Sequence, residues 1–441
     1  MYPVLVSEFQ KIVRQPPYST FHYRIGDTSM PINVNATAEE IFILCDGECS
    51  VDNIKKTLSK KYSENIAVVS EFVDEFLEHA IKNMHVRLLE KKLDKGRELI
   101  GTAGSYDYWT PEVVVFELTT ACPLNCKHCY VDKSVPVTMD SKLLNDVIDE
   151  IIHLEISQTQ LTGGEPLLHP NIKEVISKLH SAGIFTHIFT SGYVSEETTD
   201  FLLTCPSDKI LFQVSLDGFE EYHDTFRNRS GAFEKTSRFI QKMASAGFKV
   251  HIGVSVLSQT EEYLEKLCNY CKTLGVAVMR IGPVSARGEA EKNNIQRTFE
   301  HTEWVSQIQR RLADKMNCEN FRLLVEASMQ PNEYRKNCGL GQTLLKIAPN
   351  GDVTPCNVSD MAMGNLANES IVSVLIKKSK LFEALTMPNL EICHECKYKL
   401  LCKDCVIEGL LYAKDVECCH WYEQNQMLFQ KIWIEGDRNE V

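Results

Sequence analysis

The residues best suited to chemistry in this sequence are its cysteines. Three lie in Ala121-Cys122-Pro123-Leu124-Asn125-Cys126-Lys127-His128-Cys129-Tyr130, and their CxxxCxxC spacing lets three thiolates wrap one face of a cuboidal cluster. A [4Fe–4S] cube takes four ligands, so three leave one iron open to a small molecule. Zinc is the competing reading, because a closed zinc site recruits a fourth ligand and His128 stands inside the loop. A second array runs Cys338, Gly351, Cys356, Cys393-x-x-Cys396, Cys402-x-x-Cys405 and Cys418-Cys419. Paired CxxC motifs also bind zinc, so spacing alone leaves both metals open there.

The whole chain has 17 cysteines. MYPVLVSEFQK at the N-terminus lacks the basic stretch and apolar core of a secretory signal, so the cysteines point to metal rather than disulfides, and the expected location is cytoplasmic. Cys45, Cys49, Cys205, Cys268, Cys271 and Cys318 are scattered and read mostly as small apolar groups. Cys268-x-x-Cys271 falls on a helical pattern with Tyr263, Leu264 and Leu267, which favours helix packing over another metal site. A formal charge of -13 argues against nucleic acid as the main partner, since phosphate binding needs a basic face. No apolar run is long enough to span a bilayer.

Positioning these thiols requires a scaffold, and 441 residues suffice for two or three domains. Residues 1–95 read as a small domain. Alternation over Phe21–Ile25 suggests a strand, Gly26-Asp27 a turn, and Met30–Val34 a second strand. Helical patterns follow at Ala38–Cys45, Val51–Tyr62 and Val68–Met84. A small sheet followed by three helices is a winged-helix-like α+β plan. Residues 96–111 read as a linker.

From 112 to 283 strands and helices alternate, as in an α/β domain. Strands are expected at Val113–Leu118, Gln158–Thr162, Phe185–Thr190, Ile210–Leu216, Lys249–Val256 and Val276–Ile281, with helices such as Leu143–Leu154 and Ile172–Ala182 between them. Six such repeats imply a parallel sheet, either an open barrel or doubly wound, with ligands at the carboxyl ends of its strands. Residues 284–335 read as a helical bridge. The segment 336–425 is rich in cysteine and poor in long apolar patterns, so ligation would supply folding free energy that burial cannot. A tail, 426–441, completes the chain.

The CxxxCxxC motif directly follows the first strand and precedes the aromatic Tyr130. In this the sequence resembles the radical S-adenosylmethionine (SAM) superfamily. The resemblance implies a partial (β/α)6 barrel, with Cys122, Cys126 and Cys129 holding the catalytic cluster and SAM on its open iron. Other family motifs stand in order at successive strand ends. Gly163-Gly164-Glu165-Pro166 would meet the SAM amino group, with glycines permitting close backbone approach. Thr190-Ser191-Gly192 ends the third strand, where relatives often have Asn at the position of Ser191. Ser215 and Asp217, in Ser215-Leu216-Asp217-Gly218, would meet ribose hydroxyls or the carboxylate region, and Arg227 would pair with the SAM carboxylate. The family chemistry is reductive cleavage of SAM to a 5′-deoxyadenosyl radical, which the protein positions and shields from water.

The second array resembles the SPASM domain of radical SAM peptide maturases, which holds two auxiliary [4Fe–4S] clusters, for three clusters in all. Gly351, in Pro349-Asn350-Gly351-Asp352, reads as a hairpin turn returning the chain to Cys356. By resemblance, Cys393, Cys396, Cys402 and Cys419 ligate the outer cluster, with Cys418 the alternative to Cys419. Cys338, Cys356 and Cys405 would hold the inner one. No cysteine lies between Cys338 and Cys356 where closed inner clusters have one. That leaves an iron for a substrate thiolate, unless Cys318 or Cys418 fills the place.

The first domain, with Asn35-Ala36-Thr37-Ala38-Glu39-Glu40-Ile41, Leu44-Cys45-Asp46-Gly47 and Val51-Asp52-Asn53-Ile54, resembles the recognition element that binds a leader peptide by adding a strand to its sheet edge. A nucleic-acid-binding winged helix is disfavoured by the acidic stretch Glu71-Phe72-Val73-Asp74-Glu75. Together the domains resemble sactisynthases and related thioether synthases. The implied partners are a cysteine-containing precursor peptide with a leader and a reductant such as flavodoxin or ferredoxin. Another radical peptide modification, such as carbon–carbon crosslinking, decarboxylation or epimerisation, is the second reading. A non-catalytic peptide-binding or electron-transfer protein is a third, from a different class.

Overall fold

The computed structural model describes residues 1–441 except 7–8, 26–27, 96–101, 326–335, 389–390, 403, 415 and 434–441. The Gly26-Asp27 turn therefore lies outside the described residues. The chain divides into two compact units, broken near Thr110/Pro111.

The first unit opens with β1 (Tyr2–Leu5), β2 (Phe9–Gln15), β3 (Tyr18–Ile25) and β4 (Thr28–Val34). Three helices follow: α1 (Ala36–Leu44), α2 (Val51–Tyr62) and α3 (Ile66–Lys82). Each starts at a side chain that accepts an otherwise orphaned backbone N–H: Asn35 from Ala38, Ser50 from Asn53 and Asn65 from Ala67. Val69, Val73, Leu77 and Ala80 of α3 recur at helical spacing and are buried, joining Phe21, Ile41, Phe42, Ile54 and Leu58 in one core.

β5 (Val86–Leu89) pairs with β1, and β6 (Thr102–Gly104) pairs with β2, so the main sheet runs β4-β3-β2-β6. The stretch after residue 101, expected as linker, is thus part of this unit. Gln15 and Thr110 exchange hydrogen bonds at 3.0 and 2.8 Å. Tyr106 donates to buried Glu39 at 2.5 Å, where Arg14 also pairs at 2.8 Å and Ser19 donates. Ala103, Tyr108 and Trp109 are buried as well, Trp109 edge-on to Tyr18 with centroids 5.7 Å apart, but the segment is too short to show an apolar periodicity.

The second unit carries six parallel strands in chain order: β7 (Val113–Thr119), β8 (Gln158–Gly163), β9 (Phe185–Thr190), β10 (Ile210–Ser215), β11 (Lys249–Val256) and β12 (Val278–Pro283). Between them run α4 (Ser141–His153), α5 (Ile172–Ser181), α6 (Glu196–Leu203), α7 (Glu220–Arg227), α8 (Ala232–Ser245) and α9 (Glu261–Thr273). This is the expected partial barrel; β12 begins two residues later than the spacing suggested. Cys268 and Cys271 lie fully buried on α9, packed as apolar groups.

Next come α10 (Glu289–Lys292), α11 (Phe299–Met316) and β13 (Arg322–Leu324), which extends the sheet beside β12. β14 (Leu344–Ile347) joins the opposite edge parallel to β7, followed by antiparallel β15 (Asp352–Thr354) and β16 (Gly364–Asn365). The turn between β14 and β15 holds Gly351 at φ +87°, the left-handed region that glycine enters without penalty. The cysteine-rich segment therefore does bury apolar strand residues: Leu345, Ile347 and Val353 are fully buried. The chain continues through α12 (Ile371–Ala384), α13 (Lys399–Cys402), α14 (Val406–Ala413) and α15 (His420–Ile432). No described helix is long and apolar enough to cross a membrane.

Candidate active site

Register fixes which side chains share a face of the large sheet. Glu117 stands opposite Thr162, Gln160 opposite His187, Phe189 opposite Gln213, and Gln213 opposite His251. The other face of these strands is apolar and buried beneath the helices, as with Phe116, Leu161, Ile188, Phe212 and Ile252. A parallel sheet covered on both faces reads as continuous apolar runs. Here alternation leaves one polar wall. On it Lys346 Nζ lies 3.9 Å from Glu117 Oε2 and 3.3 Å from Asp360. Burial pushes the Glu117 carboxyl up, and Lys346 pulls against that shift. Tyr130 is half exposed, with its hydroxyl 3.2 Å from Thr162 Oγ1. The sequence signal for this wall was the polar alternation in Gln158-Thr159-Gln160-Leu161-Thr162, and Glu117 itself was not singled out.

The loop after β7 brings Cys122, Cys126 and Cys129 together around Leu124, Ala232 and Tyr193. Burial raises the Cys122 thiol to about 11 and also raises Cys129; Cys126 adds to both shifts. Clustered thiols that resist ionisation chiefly because they are buried fit a cationic cluster, which would stabilise their thiolates on binding. His128 is buried and stacks on Phe226 with centroids 3.7 Å apart; burial and then Arg227 push its pKa down to about 2. It is held in an aromatic stack rather than turned out of the loop.

The glycines of Gly163-Gly164-Glu165 meet the chain's own backbone. A Cβ on Gly163 would sit 2.2 Å from Thr119 O, and one on Gly164 2.3 Å from Ala121 O and 2.6 Å from Thr120 O. Gly164 N donates to Thr119 O at 2.6 Å and Glu165 N to Ala121 O at 2.9 Å. The close approach foreseen for a ligand is, in this structure, an approach to the strand end that leads into Cys122.

Glu165 is fully buried, and its carboxylate accepts from Thr190 Oγ1 at 2.7 Å and from the Ser191 N–H and hydroxyl at 2.8 and 2.6 Å. It ties the ends of β8 and β9 together, which makes Ser191 a structural partner as well as a candidate SAM contact. Asp217 is likewise fully buried. Its carboxylate accepts from Arg227 at 2.6 Å and from the Ser255 N–H at 2.8 Å. Arg227 was expected to meet SAM; here its guanidinium pairs with Asp217 at 2.5 Å and approaches Cys126 Sγ at 3.8 Å. Burial opposes the Arg227 charge, yet Asp217 and Cys126 hold its pKa above the usual range. Ser215 is half-buried at the end of β10. Gln259 was missed: its amide donates to Asp217 O and Ser255 O, both at 3.0 Å, closing the loop after β10.

In the C-terminal segment the thiols form two groups. Cys393, Cys396, Cys402 and Cys419 line one small cavity. Burial, then Cys396, Cys419 and Cys393, push the Cys402 thiol up to about 12. Cys356 is pushed up to about 12 by burial, then Cys405 and Cys338. Cys338 and Cys405 also open onto a cleft of about 1720 Å³ that takes in Gly282 and Pro283 of β12. Cys318 and Cys418 are exposed; Cys418 turns to His420 and Glu423. A set of four thiols and a set of three fit a closed and an open cluster by donor chemistry.

The radical SAM superfamily pattern matches residues 116–271, and an iron–sulfur cluster-binding domain, SPASM, matches residues 338–405. The chain is 24% identical over 411 residues to the Bacillus subtilis protein AlbA, an antilisterial bacteriocin subtilosin biosynthesis protein, covering 90% of this chain and 89% of that one. It is 24% identical to the sporulation killing factor maturation protein SkfB of the same organism, covering 62% of this chain and 66% of that one. Streptococcus suis SuiB, solved with its precursor peptide SuiA, has the same fold at 12% identity, with a TM-score of 0.61 over 86% of this chain and 93% of that one. The radical SAM and SPASM matches give this chain SAM, a [4Fe–4S] cluster and auxiliary iron–sulfur clusters as cofactors. The chain belongs to the radical SAM superfamily, in the SPASM-bearing branch that contains peptide maturases.

Proposed function

We propose that this enzyme matures a ribosomally made precursor peptide by joining a cysteine sulfur to a carbon of that peptide in a thioether. The observation that carries the reading is the three-thiol set Cys338, Cys356 and Cys405. Cys405 and Cys338 both act on Cys356, Cys338 also acts on Cys405, and Cys338 and Cys405 face a cleft roomy enough for a peptide segment. AlbA is a bacteriocin biosynthesis protein, SkfB a killing-factor maturation protein and SuiB a protein solved with a precursor peptide, which supports the same substrate class.

When bound, the cluster and SAM would supply a 5′-deoxyadenosyl radical to take one hydrogen atom from an unactivated carbon, the substrate thiol would lose its proton, and the auxiliary clusters would accept the one remaining electron as the C–S bond forms. Cys122, Cys126 and Cys129 hold that cluster, with Arg227 braced by Asp217 against Cys126. The Gly163–Glu165 loop, Ser191, Ser215 and Tyr130 surround SAM. Cys393, Cys396, Cys402 and Cys419 close the outer auxiliary cluster, leaving Cys418 outside it. Glu117, its affinity for a proton raised by burial, holds or releases one at its carboxylate on the polar wall, and Lys346 keeps that charge compensated.

In the first unit β4 is an edge strand, paired among the described residues with β3 alone, so its backbone can pair with an extended leader. α3 leaves Ile66, Val68 and Phe72 exposed for the leader's apolar residues. The electron donor is a flavodoxin or ferredoxin, and the enzyme works in the cytoplasm.

The test is mass spectrometry of the candidate peptide after anaerobic turnover. Loss of two hydrogens per bond, with cysteines no longer alkylatable, is the expected result. Peptide that loses mass while every thiol still alkylates would reject thioether formation and favour another radical modification.

A further inference from the structure

Cys418, His420 and Glu423 converge on the surface beside, but not within, the four-thiol group. Cys419 caps the N-terminus of α15 and faces Cys393, Cys396 and Cys402, whereas Cys418 points the other way. His420 and Glu423 are three residues apart on the first turn of α15, hence on one face. The three side chains meet at nearly equal spacings. Cys418 Sγ is 3.3 Å from His420 Nδ1 and 3.4 Å from Glu423 Oε1, and His420 Nδ1 is 3.3 Å from Glu423 Oε2.

We propose that these three residues form a site for one zinc-class divalent transition-metal ion, distinct from every iron–sulfur cluster. A tetrahedral zinc with sulfur at about 2.3 Å, nitrogen at about 2.05 Å and oxygen at about 2.1 Å sets S···N and S···O edges of about 3.6 Å and an N···O edge of about 3.4 Å. The observed contacts reach both carboxylate oxygens and run slightly shorter than those edges, and one donor atom of each residue lies within 4.8 Å of the other two, close enough for a single ion to take all three. Hydrogen bonds account for them less well. One thiol proton and one ring proton cannot serve three mutual contacts as linear bonds, whereas a single cation serves all three.

The donor set also suits the metal. Thiolate, imidazole and carboxylate are the ligands zinc takes in proteins, and three protein ligands leave the fourth position to water. All three residues are exposed, so the ion enters directly from solvent. Ligation would pin the turn Cys418–His420, whose middle residue, Cys419, faces the four-thiol cavity. The metal thus acts as a clip on the approach to that cavity. This holds whatever peptide modification the enzyme performs.

The experiment uses full-length protein with its clusters reconstituted, dialysed against zinc under anaerobic conditions and then washed. Metal content and zinc-edge X-ray absorption are read together. The expected result is about one zinc per chain, bound by one sulfur and three nitrogen or oxygen atoms. Second-shell changes cost metal sites about 10–100-fold in affinity, so removing a ligand outright should cost at least that. His420→Ala and Glu423→Gln should therefore each weaken zinc binding by at least about tenfold, with iron and sulfide unchanged. Wild-type protein that retains no zinc overturns the proposal. So does zinc retained equally by both variants, or a shell of four sulfurs, which would place the ion among the cluster thiols. Cys418→Ser supplies the last control: loss of iron from that variant would make Cys418 a cluster ligand and end the proposal.

Discussion

Gly164→Ala tests whether the loop after β8 must lie flush against the strand end that carries the catalytic thiols. The new Cβ would meet Ala121 O at 2.3 Å and Thr120 O at 2.6 Å. A carbon rests against a carbonyl oxygen at about 3.3 Å, so relief requires a shift of about 1 Å in one partner. Both partners are backbone, so no side-chain rotation can absorb it. One holds the Gly163–Glu165 loop and the other leads directly into Cys122. A misplacement of about 1 Å near reacting groups costs on the order of 100-fold in rate.

The assay is anaerobic production of 5′-deoxyadenosine, with iron and sulfide measured on the same sample. SAM cleavage should fall by about 100-fold while the iron content stays near wild type. Gly183→Ala is the matched control. Gly183 has φ +74° but nothing within 4 Å of a Cβ, so the change costs only about 1 kcal/mol of backbone strain and leaves cleavage intact. A Gly164→Ala enzyme that cleaves SAM at the wild-type rate would refute the argument.

Cys126→Ala should abolish SAM cleavage, whereas Cys396→Ala should retain some cleavage and yield no crosslinked peptide; equal 5′-deoxyadenosine from both would misassign the catalytic cluster. Asp217→Asn strands the Arg227 charge beside Cys126, and breaking such a buried pair costs about 3–5 kcal/mol. Thermal melting should drop and SAM cleavage with it, and an unshifted melting point would show that the pair braces nothing. In the first unit, burial raises the Glu39 carboxyl, but bonds from Arg14, Ser19 and Tyr106 outweigh it and hold it below the ordinary range. A depressed folded-state pKa stabilises fully above about pH 5 and fades as pH falls through the lower folded value. Glu39→Gln should therefore reduce amide protection in α1 and β3 at pH 7, and the gap from wild type should close in acid. A gap that stays constant with pH would reject the charge argument.

Local signals determined much of this protein. CxxxCxxC after a strand, the motifs at successive strand ends and the second cysteine array depend on short-range spacing, and spacing is written in the sequence. So are the helix starts at Asn35, Ser50 and Asn65, because a cap and the N–H it satisfies lie within three residues.

Only tertiary structure decided the rest, because the partners are far apart in sequence. Nothing in Lys346 announces Glu117, and β14 joins β7 only once the sheet exists. Tyr106 and Thr110 lie in a stretch that reads as linker until Glu39 and Gln15 meet them. The adjacent pair Cys418-Cys419 is chemically identical in the sequence. The start of α15 separates them, turning one thiol inward to three others and the other outward to a histidine and a glutamate.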